Sequence, residues 1–309
     1  MTYNKKHLNF DEQLDLFITR GMVVQKRDEA IEKLKNINYY KIKEFASPYY
    51  KNRYENITFE QVIMRFYQDK NLRIYLLHAI EKVELSFKTK FAYVLGKKYD
   101  AFGYLDFKNW CNKKEYCKHY LNEKQEQTKM YIKKIIKRKN NFITNEYFKT
   151  NPKEEFPPIW MLVEILTFGD ILNLYELMSD INRKEIARFY DCTNDELSSW
   201  LKNLKLIRNL AAHNSCILDT KFITKPMIRP EWNKFLFVFQ TKNNKIITTD
   251  RIAITIVIIK YLISKINENY GFGNFFTSFS KLIKENSEAH RYGFKDKHHI
   301  KLLLFDKEK

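Results

Sequence analysis

The stretch TFEQVIMRFYQDKNLRIYLLHAIEKVELSFKTKFAYVLG, Thr58 to Gly96, decides the fold. Apolar side chains at Ile63, Phe66, Leu72, Leu76, Ile80, Val83, Phe87 and Phe91 recur at helical spacing with no proline among them. Thr58 is a good N-cap, and Glu60 suits the positive end of a helix dipole. One long helix, with room for a kink, is the expectation. On its N-terminal side, Asp11 to Arg20 and Lys26 to Lys35 read as two short helices divided by Gly21, with the aromatic segment Asn38-Tyr39-Tyr40 after them.

On its C-terminal side a lysine-rich stretch from Lys113 to Lys139 is helical by composition and lacks a broad apolar face, so it is expected to be exposed. Pro152, Pro157 and Pro158 mark a loop. Ile159 to Met178 reads as a helix interrupted at Phe168-Gly169-Asp170, and Lys184 to Tyr190 as a short helix. Asn194 is the expected N-cap of the next helix, with Asp195 and Glu196 in its first turn. Leu197, Trp200, Leu201, Leu204, Ile207, Leu210 and Ala211 form its apolar stripe. Beyond Pro226 and Pro230, a short strand from Phe235 to Gln240 turns at Asn243-Asn244 before a helix from about Asp250 to Ile266. The fold class is all-α, mostly helical, with an N-terminal helical unit over 1–55, a central domain over 56–220 and a helical C-terminal extension over 221–309.

Composition narrows the function. Fifty-five Lys+Arg against thirty-seven Asp+Glu give a net charge of +18, which draws polyanions, nucleic acid before an anionic membrane surface. Abundant aromatic residues and only thirteen Gly and Pro in all exclude intrinsic disorder as the main state and favour helices. The longest apolar run, Ile252 to Ile259, stops at Lys260, short of the ~18 residues a membrane span needs, and the N-terminus has no apolar leader. A soluble cytoplasmic protein without membrane attachment is expected. Four cysteines form no CxxC pair, and Cys111, Cys117 and His119 fit no usual zinc spacing, so neither a disulfide framework nor a metal is expected. Gly271-Phe272-Gly273 lacks a third glycine, and neither a phosphate-binding P-loop nor a G-x-S-x-G elbow is present, so no cofactor is expected.

The sharpest motif is Arg208-Asn209-Leu210-Ala211-Ala212-His213. On a regular helix Arg208 and His213 stand about 140° apart around the axis and ~7.5 Å along it, whereas Asn209 and His213 stack. Joint action of Arg208 and His213 on one phosphate therefore requires a distorted helix end or a second copy of the motif from a partner chain. The chemistry is available: histidine moves the proton of a 2′-hydroxyl, and arginine holds the phosphate. RNA, unlike DNA, carries that hydroxyl. A histidine placed merely to cap the helix end is the structural alternative.

Asn38-Tyr39-Tyr40, Asp69-Lys70-Asn71-Leu72-Arg73, Glu81-Lys82-Val83-Glu84, Pro158-Ile159-Trp160, Leu166-Thr167-Phe168-Gly169, Ser199-Trp200-Leu201 and Arg208-Asn209-(x3)-His213 follow one another in an order that resembles the Abi-like abortive-infection proteins, the AbiD/AbiF group. The resemblance spans about residues 14 to 220. It implies a HEPN-type helical bundle whose R-x4-6-H motif serves metal-independent RNA cleavage, often with two motifs meeting in a homodimer or larger assembly. On that basis Arg208 and His213 are catalytic and Asn209 positions them. Glu81 or Glu84 would orient Arg208 or His213, and Arg73 would pair with a core carboxylate or reach RNA. The resemblance also implies a toxin restrained by a small noncoding antitoxin RNA. The alternative is a non-catalytic protein that holds a regulatory RNA. Lys133, Lys134, Lys137, Arg138 and Lys139, with Tyr131 nearby, have the composition of an RNA-tracking surface, or of a solvated helix face.

Overall fold

A computed structural model of the chain describes residues 6–138, 141–240, 244 and 246–305. Helices α1 (Phe10–Thr19), α2 (Arg27–Asn36) and α3 (Tyr39–Ala46) open it. Helix α1 starts in a reciprocal capping box between Asn9 and Glu12. Gly21, after it, has φ 93°, and a Cβ there would press on the Tyr54 carbonyl at 3.2 Å.

Helix α4 (Phe59–Tyr99) is the expected long helix: 41 residues, about 60 Å, α-helical throughout. Thr58 caps it in a box closed by Gln61, while Glu60 accepts the backbone N–H groups of Gln25 and Lys26 at 2.9 and 3.2 Å. The first turns of α4 therefore belong to an N-terminal core with Leu14, Phe17, Ile42, Phe45, Phe59 and Val62. From Leu72 onward the helix enters a second, larger core.

Helices α5 (Phe107–Trp110), α6 (Lys118–Arg138), α7 (Phe142–Thr150), α8 (Ile159–Ile165), α9 (Phe168–Leu177), α10 (Asp180–Arg188) and α11 (Asn194–Ala212) follow. The expected interruption within 159–178 falls at Leu166-Thr167. Phe168-Gly169-Asp170 is the first turn of α9, because Thr167 and Asp170 cap each other's backbone N–H. Helix α11 likewise starts one residue earlier than expected: the Thr193 hydroxyl accepts Glu196 N–H and the Glu196 carboxylate accepts Thr193 N–H, so Thr193 and not Asn194 is the N-cap. Helix α6 buries only Leu121, Ile132 and Ile135, as its composition suggested.

The remainder comprises β1 (Val238–Gln240), β2 (Ile246–Thr248), α12 (Ala253–Ser264), α13 (Gly273–Leu282), α14 (Asn286–Tyr292) and α15 (Lys297–Phe305). The strands pair antiparallel with Val238 opposite Thr248. Of the expected Asn243-Asn244 turn, Asn243 lies outside the described residues and Asn244 has φ 58°. The apolar run Ile252–Ile259 opens α12, which is buried on nearly every side. Among the described residues no helix is long and apolar enough to cross a membrane. Helices α8, α11 and α13 pack most extensively on α4, and Ile254, Leu262, Phe279 and Tyr292 share the core of Leu76, Phe87 and Trp200. Fifteen helices and one two-stranded sheet among the described residues make the fold all-α, as expected.

Candidate functional site

The stripe Leu197, Trp200, Leu201, Leu204 and Ile207 is fully buried and seats α11 on α4 and α12. This brings Arg208 and Asn209, both half-buried, and the exposed His213 to the helix's C-terminal end. Asn214 there adopts φ 57°. Its N–H reaches Ala211 O at 3.3 Å, and Ser215 N–H reaches Leu210 O at 2.9 Å, the paired bonds of a Schellman closure with asparagine in place of glycine. His213 is the C-cap, and its N–H donates to Asn209 O at 3.0 Å. Arg208 Nη1 donates to Asn209 Oδ1 at 3.3 Å. The helix end is regular, so Arg208 and His213 remain on different sides of it, and among the described residues no hydrogen bond or ion pair joins their side chains.

Behind this turn lies a polar clamp in which sequence reading gave a role to Arg73 alone. Asp69, with no solvent exposure, accepts the N–H groups of Ile217 and Leu218 through Oδ1 at 2.8 and 3.0 Å, while Arg73 Nε stands 3.3 Å from Oδ2. Burial pushes the Asp69 carboxyl up to about 6 against the lowering effect of both amides and of Arg73. One helical turn earlier Arg65 donates to Asp219 Oδ2 and to the Tyr292 hydroxyl, both at 2.7 Å. The segment after His213 is thus tied to α4. The available signal was a row of charges, Arg65, Asp69 and Arg73, spaced by four along a face whose other members, Leu72 and Leu76, are core residues. Of the two roles open to Arg73, the geometry provides the pairing with a core carboxylate.

The other expected residues lie apart from the turn. Glu81 is exposed, and Glu84 holds Lys88 at 3.1 Å. Among the described residues neither makes a hydrogen bond or ion pair with Arg208 or His213. The reason is axial: α11 runs antiparallel to α4, ending beside Asp69, while Tyr190, just before it, meets Ser86 at 3.0 Å. Glu81 and Glu84 stand roughly 20 Å farther along α4 than Asp69, level with the other end of α11.

On α6, Lys133 pairs with Glu155 at 2.8 Å and stands 5.1 Å from the Phe156 ring centre, whereas Lys134, Lys137 and Arg138 are exposed. Lys139 lies outside the described residues. The Tyr131 hydroxyl donates to Asp170 at 3.1 Å. Cys111 is buried and Cys117 exposed, and among the described residues no group of three or more His, Cys, Asp or Glu is placed to hold a metal ion. Burial pushes the Cys216 thiol up, which suits packing rather than nucleophilic attack.

No curated protein and no solved structure matches the chain. The family model of Abi-like proteins matches residues 32–219, from within α2 to the aspartate that closes the clamp. That match covers more than half of the sequence, carries the α4–α11 pair with its Arg208–His213 turn, and shows that the chain belongs to the Abi-like protein family.

Proposed function

We propose that this protein, whose family ties it to abortive infection as a defence against phage, is a HEPN-type, metal-independent endoribonuclease acting as a homodimer. The observation that carries the reading is the Arg208–Asn209–His213 turn: undistorted, open to solvent at His213 and braced from behind by Asp69 and Arg65. Since Arg208 and His213 diverge on one helix, two copies of the turn would face each other across one RNA phosphate. Arg208 of one copy would hold the phosphate and His213 of the other would take the 2′-hydroxyl proton. Attack of that oxygen on phosphorus breaks the bond to the 5′-oxygen, which takes a proton from the protonated His213 or from water, leaving a 2′,3′-cyclic phosphate and a 5′-hydroxyl. The net charge of +18 favours capture of RNA, both the substrate and a small noncoding antitoxin RNA that would restrain the toxin in the cytoplasm.

A second reading has one observation in its favour: among the described residues no carboxylate orients His213. A protein that holds a regulatory RNA without turnover would need only the phosphate contact. Expression of wild type beside Arg208→Ala/His213→Ala separates the two, with growth arrest, RNA cleavage and co-purifying RNA followed in the same cells. A ribonuclease loses arrest and at least ~100-fold in single-turnover cleavage while RNA affinity is nearly kept. Its cutting resists EDTA and leaves cyclic-phosphate ends. Loss of bound RNA in the variant with no cleavage by wild type establishes the binding protein instead, equal phenotypes and equal bound RNA remove the turn from both readings, and a strict magnesium requirement with 3′-hydroxyl products overturns the mechanism.

A further inference from the structure

A band of exposed rings crosses α8, α4 and the end of α10, far from the Arg208–His213 turn. Trp160 and Tyr93 are 53% and 54% exposed, and Phe189 is 41% exposed. Gly96 lowers the flank of α4 beneath Trp160: a Cβ there would stand 3.6 Å from two carbons of the indole. A groove of about 470 Å³ runs between Tyr93 and Trp160, with Lys97 and Glu164 at its edges. The Tyr93 and Phe189 rings meet edge-on at 6.2 Å.

Cations accompany the rings. Lys97 Nζ is 5.8 Å from the Tyr93 ring centre, and Lys90 Nζ is 5.3 Å from that of Phe189. Lys90 donates to Ser86 Oγ at 3.0 Å, and burial lowers its ammonium from the ordinary lysine value with no carboxylate acting against it. Their neighbours Lys88 and Lys98 are neutralised by Glu84 and Glu185, but among the described residues Lys90 and Lys97 make no ion pair. Exposed aromatic surface beside cations without counter-ions fits one kind of ligand closely: base faces stack on the rings and phosphates meet the ammonium groups. An apolar protein surface would leave both lysines unmet, and a duplex keeps its base faces hidden.

We propose that Trp160, Tyr93 and Phe189, with Lys90 and Lys97, form a docking ledge for single-stranded RNA, separate from the cleavage turn. The choice of RNA rests on the proposed function. Tyr93 lies about 36 Å beyond Asp69 along α4, so the ledge and the turn engage different parts of a strand.

The molecule carries its own reporter, because Trp110, Trp200 and Trp232 are at most 3% exposed and Trp160 is the one exposed tryptophan of the four. Full-length protein is titrated with a labelled oligoadenylate bearing 2′-O-methyl sugars, which 2′-hydroxyl attack cannot cut, and with a duplex of the same length. The expected result is quenching of tryptophan emission by the single strand, much weaker quenching by the duplex, no quenching in Trp160→Leu, and affinity lowered about tenfold in Trp160→Leu/Tyr93→Ala. The wild-type quench needs no variant to fold. RNA that binds without changing the emission, and equally well to the variant, removes the ledge and leaves the RNA reading standing. Absence of any RNA binding at low salt removes both. A blue shift of Trp160 on phosphatidylserine vesicles without any response to RNA makes the band a membrane face and overturns the proposal.

Discussion

At Asp69 two opposing effects act on one carboxylate with no solvent exposure. Desolvation favours the neutral acid, while Arg73 and the amides of Ile217 and Leu218 favour the anion. Because the folded carboxyl is raised from 3.8 to about 6, the native state holds its proton more tightly than the unfolded chain between those values. The corresponding stability is present at low pH and is lost as pH rises through about 6. Asp69→Asn keeps an acceptor for the amides and cannot ionise. The stability of wild type relative to Asp69→Asn is therefore expected to fall between pH 4 and pH 6 and to level off above, as measured by denaturant unfolding. A rising difference would mean that the ion pair and the amides outweigh burial. Above pH 6, where the carboxylate is ionised, Asp69→Ala strands Arg73 and both amides at a cost of about 3–5 kcal/mol.

Helix α11 is specified at both of its ends. Thr193→Ala removes the hydroxyl that accepts Glu196 N–H and should cost about 1 kcal/mol in thermal or denaturant unfolding. Asn194→Ala, just inside the helix, should cost much less; equal losses would place the cap at Asn194 after all. Thr193 and Asn194 are both cap-forming residues, and only the reciprocal bond with Glu196 selects between them, which is why the sequence stripe placed the start one residue late. The long helix α4 was legible because one apolar stripe runs beneath a single cap at Thr58. The candidate turn was legible because Arg208, Asn209 and His213 lie within one turn and a half of helix. Of the clamp only Arg73 had an expected partner in the core, since Asp69 and Ile217 are 148 positions apart and no local periodicity joins them. Glu81 and Glu84 were linked to the turn by the family resemblance, which implied a contact between their helix and that of Arg208 and His213. The helices do touch, but the axial register of two antiparallel helices depends on the packing of the whole core rather than on the spacing within either.

At the scale of the molecule Arg65 joins parts distant in the chain. Its guanidinium is 5.2 Å from the Tyr49 ring in the N-terminal unit, hydrogen-bonded to Tyr292 in α14, and paired with Asp219 after the candidate turn. Arg65 is 3% exposed and Asp219 only partly covered, so Arg65→Met should cost about 3 kcal/mol, the low end for breaking a buried pair. Hydrogen exchange should show protection lost together in 214–219 and 286–292. Loss in one segment alone would mean that the two are stabilised separately. The spacing of these partners also bears on synthesis. Tyr292 follows Arg65 by 227 positions, which at translation speeds of roughly 5–20 residues per second is about 10–45 s. Through that interval the guanidinium waits without one of its partners, and His213 leaves the ribosome before the brace behind it is complete.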